Sequence, residues 1–191
     1  AGKTTRLAGV KATEKKIQGY PVTRVDILDR EGEAALGKPA GSYRTLDLTA
    51  FWQRGDGFFD RAVRAVGQQV KELTPDSGPV LVVGLGNREV TPDALGPDVV
   101  SNLRITRHVI QEYGVQSMGR EYANSISGLV PGVMAQTGME TAQIMRGIVR
   151  ETKPDLVIAI DALAARSIRR LGTTIQVTDT GIHPGSGVGN H

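Results

Sequence analysis

The chain has 191 residues, 39% of them hydrophobic and 23% charged, which is enough for one ordinary domain with a buried core. It has no cysteine, which excludes disulfides, thiolate metal ligands and a cysteine nucleophile. The net charge is only +3 and no apolar run is long enough for a membrane helix. We therefore expect a soluble intracellular domain with no nucleic-acid or membrane partner.

The predicted elements of the first half are an arm, two strands and a helix. Residues 1–20 are basic and weakly patterned, which indicates a loosely docked N-terminal arm, and residues 21–191 then form one α/β domain. Apolar residues favour strands at 22–28 and 43–48. Apolar positions at helical spacing predict an amphipathic helix from Phe59 to about residue 75.

The second half contains three candidate strands. Residues 80–83 and 156–160 are continuous apolar runs, the pattern of strands buried on both faces of a parallel sheet. Residues 174–178 are the third candidate. Helical patterns separate these strands, so the sequence predicts a mostly parallel central sheet with helices on both faces.

Two helices are expected between the strands of this half. Apolar positions from Val99 to Tyr113 indicate one helix that Gly114 closes. Thr137 and Glu140 have capping-box spacing, so we expect the other helix to begin there and to end before Pro154.

Three aspartates follow the predicted strands at the edge where ligands of open α/β sheets bind. Asp93 lies in the loop after the first strand of this half, Asp161 directly follows the second, and Asp179 directly follows the third. His183 lies in a loop that leaves the third strand. If the three strands are neighbours, two or three carboxylates converge at one edge of the sheet.

The residues alone leave several roles open for this cluster. Two close carboxylates rarely both ionise, so one keeps a proton and the pair can act as general base and general acid on water. The alternative is a divalent metal site with Asp93, Asp161 and His183 as ligands. Strand-end aspartates also commonly cap helices or accept hydrogen bonds from loop amides. Auxiliary candidates are His183, Asp179 and backbone amides of the two glycine-rich loops, residues 84–87 (with Gly84 and Asn87) and residues 185–189.

Two familiar motifs fail on inspection. Residues 84–89 follow a strand as a dinucleotide-binding loop does, but Glu89 occupies the position of the third glycine, so no nicotinamide cofactor is expected. Residues 179–181 spell the tripeptide of pepsin-type proteases, whose all-β fold contradicts the helical periodicity here.

Five blocks resemble the bacterial spore germination protease family. They are residues 37–43 (GKPAGSY), 83–97 (VGLGNREVTPDALGP), 129–141 (LVPGVMAQTGMET), 153–166 (KPDLVIAIDALAAR) and 179–190 (DTGIHPGSGVGN). The resemblance implies an atypical aspartic endopeptidase whose fold is similar to that of hydrogenase-maturation peptidases. It implies an enzyme that begins the degradation of small acid-soluble spore proteins during germination.

The resemblance also implies which residues form the site and which partners the protein has. The family's two essential aspartates correspond to Asp93, in TPDALG, and Asp161, in IAIDAL. It implies a zymogen that loses an N-terminal propeptide, a homo-oligomer, a location in the cytoplasm of the spore core, and no cofactor. Because the family's chain continues past Asn190, we expect this chain to match its N-terminal part. An alternative to an active endopeptidase is therefore an inactive fragment that acts in assembly.

Overall fold

The structure is a computed structural model that describes residues 6–49, 56–119, 124–165 and 170–182. The chain divides into two compact units, formed by residues 1–74 with 163–181 and by residues 75–162 with 182–191. The single domain predicted from residue 21 is therefore split between two units.

The first unit is built on a five-stranded antiparallel sheet in the order β1-β2-β3-β4-β8. Its strands are β1 (Arg6–Leu7), β2 (Val10–Ile17), β3 (Tyr20–Ile27), β4 (Gly41–Asp47) and β8 (Thr174–Thr178). Its helices are α1 (Arg30–Leu36) and α2 (Phe58–Lys71). The strands predicted at 22–28 and 43–48, and the helix that follows them, are confirmed.

The core of this unit lies between the sheet and α2. Val22 and Leu46 are opposite each other on β3 and β4, point to the same face and are fully buried. The small side chains of Ala62 and Ala65 bring α2 close to that face. The same contacts leave Phe59 of α2 exposed, although its spacing alone groups it with the buried side of the helix.

The prediction of a loosely docked N-terminal arm over residues 1–20 is wrong for residues 6–20, the part that the structure describes. Strand β2 pairs with β3 along its whole length, from Val10 opposite Ile27 to Ile17 opposite Tyr20. Ile17 and Tyr20 are buried. Most other side chains of β2 are charged and exposed, so the backbone ladder rather than apolar alternation holds this strand, and its pattern does not reveal it.

The second unit contains a three-stranded parallel sheet in the order β6-β5-β7. Its strands are β5 (Val80–Gly84), β6 (Ile126–Leu129) and β7 (Leu156–Ile160). Its helices are α3 (Leu95–Ser101), α4 (Arg107–Tyr113), α5 (Met134–Thr137) and α6 (Thr141–Thr152). The α/β class is therefore confirmed.

Helices cover both faces of the central strand β5. Leu81 and Val83 pack against a face of α6 formed by Met145, Ile148 and Val149. Gly84 points to the opposite face, where it meets the backbone of α3. As predicted, β5 is buried from Leu81 onward.

Strand β7 is less buried than its apolar run suggests. It pairs with β5 alone among the described strands, and Val157 is 39% exposed. The prediction that β7 is buried on both faces is wrong, because an apolar run does not distinguish a central strand from an edge strand. Strand β8 exists where predicted, but it pairs antiparallel with β4 and not with the parallel strands.

Two helix predictions also need correction. The helix expected from Val99 to Tyr113 is divided into α3 and α4, because the buried Thr106 draws the chain to β6: its N–H donates to the Ile126 carbonyl oxygen, and its Oγ1 accepts from the Ile126 N–H. The capping box is displaced as well. Thr137 ends α5, and Glu140 is the N-cap of α6.

Candidate active site

The two carboxylates carried over from the family lie at the same edge of the parallel sheet. Strands β5 and β7 run side by side up to Gly84 opposite Ile160, and Asp161 directly follows β7. Asp93 is separated from β5 by eight residues, but it ends a short 3-10 turn, Thr91–Asp93, that leads into α3. The carboxyl ends of the two strands therefore provide the base of the site.

The loop after β5 is folded back so that Asp93 returns to this edge. The Leu85 N–H donates to the Ile160 carbonyl oxygen at 2.8 Å, which fixes the start of the loop to the end of β7. Gly86 has a φ of +109°, and a Cβ there would lie 3.0 Å from the Asp93 carboxyl carbon. The absence of a side chain at Gly86 thus lets the 3-10 turn pack directly on the loop.

The Asp93 carboxylate is oriented by a backbone donor. The Asn87 N–H donates to Asp93 Oδ2 at 2.8 Å, and Asp93 is half-buried. The sequence analysis considered the amides of residues 84–87 as oxyanion donors. Those of Leu85 and Asn87 are already used within the chain.

The pKa of the Asp161 carboxyl group is raised above its ordinary value. Burial raises its pKa, the nearby negative charge of Asp93 raises it further, and a hydrogen bond from the Ala162 N–H to Asp161 Oδ1, at 2.8 Å, opposes both effects. Both groups follow adjacent strands at the same edge of the sheet, which places the charge of Asp93 near Asp161. In its protonated form, Asp161 can serve as a general acid, and Asp93 beside it can serve as a general base.

Two other predicted site residues, Asp179 and Gly84, have structural contacts of their own in the described structure. Asp179 follows β8 in the antiparallel sheet, is exposed, and accepts a 2.8 Å hydrogen bond from the Ser42 N–H through Oδ1. Gly84 serves the packing of α3, since a Cβ there would meet the backbone of Gly96. His183 and the second glycine-rich loop, residues 185–189, lie outside the described residues.

The metal alternative has two of its three ligands in the described part of the chain. Asp93 and Asp161 supply oxygen ligands of the kind that hard divalent cations prefer. Within residues 6–49, 56–119, 124–165 and 170–182, no group of three or more His, Cys, Asp or Glu side chains is arranged to hold a metal ion. His183 is the third ligand of that hypothesis, so the described residues do not test the complete set.

One residue near the pair was missed by the sequence analysis. Gln136 of α5 donates through Nε2 to Asn87 Oδ1 at 3.2 Å. It follows β6, the other parallel neighbour of β5, so the strand-end rule applies to it as it does to the aspartates. The rule was applied only to acidic residues and His, and Gln136 was therefore not selected.

The fold and the site define an α/β protein with two carboxyl groups at the same edge of a parallel sheet. No helix among the described residues has the length and apolar character needed to cross a bilayer. The family model described as Germination protease matches residues 2–191, and the chain belongs to this family.

Curated relatives support the assignment over almost the whole chain. The chain is 48% identical to the Germination protease of Caldanaerobacter subterraneus over 98% of its own length and 58% of that protein's. The corresponding values are 46%, 97% and 51% for the Germination protease of Priestia megaterium, and 42%, 96% and 57% for that of Clostridium perfringens. The chain thus spans between half and three fifths of the length of these relatives.

Proposed function

We propose that this chain contains the catalytic part of an endopeptidase that begins the degradation of small acid-soluble spore proteins during spore germination, with Asp93 and Asp161 as the acid–base pair. Membership of the germination protease family supports the peptidase role. The observation that carries the mechanism is the raised pKa of Asp161 beside a second carboxyl group.

The two carboxyl groups have different roles in the proposed reaction. Ionised Asp93 removes a proton from a water molecule whose oxygen attacks the scissile carbonyl carbon. Protonated Asp161 gives its proton to the substrate, and the carbon–nitrogen bond then breaks as the amine leaves. Asp93 then releases the proton it gained to solvent, and Asp161 takes up a proton from solvent, which restores the starting state of the pair.

The local environments favour this division of roles. Asp93 accepts a hydrogen bond from the Asn87 N–H, which holds its carboxyl group in a fixed orientation. Asp161 accepts one backbone hydrogen bond on Oδ1, and its burial favours the neutral form. A pair of titratable groups whose environments differ in this way is the usual basis of acid and base assignments.

Cleavage of a purified small acid-soluble spore protein tests the proposal. The 191-residue chain is compared with Asp93→Asn and Asp161→Asn, each with and without EDTA, and Asp98→Asn on the exposed side of α3 is the matched control. We expect cleavage that resists EDTA, falls by about 100-fold to 10 000-fold in both site variants, and persists in Asp98→Asn.

The alternatives give different results in the same assay. Loss of cleavage with EDTA, restored by a divalent cation, favours the metal site of Asp93, Asp161 and His183. A folded Asp161→Asn variant that cleaves at the parent rate contradicts the acid–base pair. No cleavage by the parent chain favours the inactive-fragment alternative.

The remaining properties are proposed on the family resemblance. They are maturation of a zymogen by removal of an N-terminal propeptide, assembly into a homo-oligomer and a location in the spore core. Analytical ultracentrifugation tests the assembly, since a monomer at all concentrations contradicts it.

A further inference from the structure

We propose that Gln136 is a positioning residue that orients Asp93 through the side chain and backbone of Asn87. This inference rests on the proposed function of Asp93. It assigns a role in the site to a residue of α5, which follows a strand that carries neither aspartate.

The hydrogen bonds around Asn87 fix the orientation of its side-chain amide. The Glu89 N–H donates to Asn87 at 3.0 Å, so the atom that receives this bond must be the acceptor Oδ1. The side chain of Gln136 approaches the same Oδ1 at 3.2 Å and must present its donor, Nε2. Asn87 Oδ1 therefore accepts two hydrogen bonds while its own N–H donates to Asp93 Oδ2.

A second, longer contact at the other amide atom of Gln136 favours the same orientation. The Val133 N–H donates to Gln136 Oε1 at 3.5 Å, a capping-box bond within α5. Gly132 has a φ of +74°, and a Cβ there would lie 3.3 Å from the same oxygen. The carbonyl side of the Gln136 amide is thus turned to its own helix and the NH₂ side to Asn87.

These contacts link two parallel strands through their loops. The turn that carries Asn87 follows β5, and α5 follows β6. Without the Gln136 bond, Asn87 Oδ1 keeps only the local bond from the Glu89 N–H, and the Asn87 carbonyl oxygen still accepts from the Val90 N–H at 3.1 Å within the same turn. The Asn87 N–H, and with it the direction of the Asp93 carboxylate, then depends on a loop that is tied to β7 through Leu85 but has lost its bond to the segment after β6.

Gln136→Met tests the link, because methionine has a similar length and no amide donor. Gln143→Met is the matched control, since Gln143 also accepts a capping-box bond, from the Glu140 N–H at 3.3 Å, at the start of α6 and without a bond to Asn87. The first measurement is amide hydrogen exchange by NMR on the 191-residue chain, which requires no catalytic activity. We expect exchange at Asn87 and Glu89 to rise by about fivefold to tenfold in Gln136→Met, and to stay at the parent rate in Gln143→Met.

The second measurement is steady-state cleavage of the spore protein substrate. We expect Gln136→Met to lower kcat by about tenfold with KM unchanged, and to have no further effect in an Asn87→Ala background. A residue that only stabilises α5 would lower kcat independently of Asn87. Unchanged amide exchange in Gln136→Met, an equal effect of Gln143→Met, or a kcat loss that adds to that of Asn87→Ala each overturns the proposal.

The two proposals fail in different ways. If Asp93→Asn and Asp161→Asn still cleave, the acid–base pair is wrong, whatever Gln136 does. If those variants are inactive and the exchange rate of the Asn87 amide is unchanged in Gln136→Met, the acid–base pair remains supported and the positioning role is refuted.

Discussion

Gly96 at the start of α3 offers a direct test of how the site is assembled. A Cβ at this position would lie 2.5 Å from the Ile160 carbonyl oxygen and 2.6 Å from the Leu85 nitrogen, and closer still to the Leu85 carbonyl oxygen. Non-bonded heavy atoms need about 3.5 Å, so Gly96→Ala requires a shift of about 1 Å in the backbone that joins β5 and β7. The same atoms form the 2.8 Å hydrogen bond between Leu85 and Ile160.

The expected magnitude follows from three opposing contributions. Alanine is better than glycine in a helix by about 1 kcal/mol. Overpacking costs about 1–3 kcal/mol, and weakening the Leu85–Ile160 hydrogen bond costs about 1 kcal/mol. The free energy of unfolding should therefore fall by about 2 kcal/mol, which lowers Tm by about 4–8 °C in a chain of this size.

Thermal unfolding followed by far-UV circular dichroism measures this change. Gly147→Ala is the matched control, because Gly147 lies inside α6 and a Cβ there meets no atom within 4 Å. That variant should gain about 1 kcal/mol from helix propensity alone. The reasoning is refuted if Gly96→Ala is as stable as the parent or is stabilised in the manner of Gly147→Ala.

Two further predictions concern aspartates. Because the folded-state pKa of Asp161 is raised, its ionisation costs stability as the pH rises through that pKa, and the cost disappears below the unfolded value of about 3.9. Asp161→Asn, which keeps the acceptor for the Ala162 N–H, should be more stable than the parent at pH 7 and equally stable at pH 3 in urea titrations; an opposite trend would show that the burial argument is wrong. Asp179→Asn keeps the acceptor for the Ser42 N–H and should retain both stability and cleavage. Asp179→Ala removes that acceptor and should lose about 1 kcal/mol of stability. Loss of cleavage by a folded Asp179→Asn variant would instead indicate a catalytic role for this residue.

The strand-end rule places Asp93 and Asp161 at a common sheet edge, as the structure does, because the rule depends on a short stretch of sequence. Residues 80–83 and 156–160 are apolar runs with helical patterns between them, which is enough to predict parallel strands with a common carboxyl edge. Strand β8, by contrast, pairs antiparallel with β4, about 130 residues earlier in the chain, and not with the parallel strands. Nothing within residues 174–178 distinguishes a parallel partner from an antiparallel one.

By itself, the sequence determined the α/β class, the buried strand β5, and the positions of the two carboxyl groups, because apolar periodicity and the residue after a strand are local properties. The five sequence blocks also identified the germination protease family, which the family model confirms. The tertiary structure alone decided that residues 6–20 join a sheet, that β7 lies at the edge of the described sheet, and that Gln136 reaches Asn87. These features depend on contacts between distant segments, and backbone pairing and hydrogen bonds of that kind leave no periodic pattern in either partner.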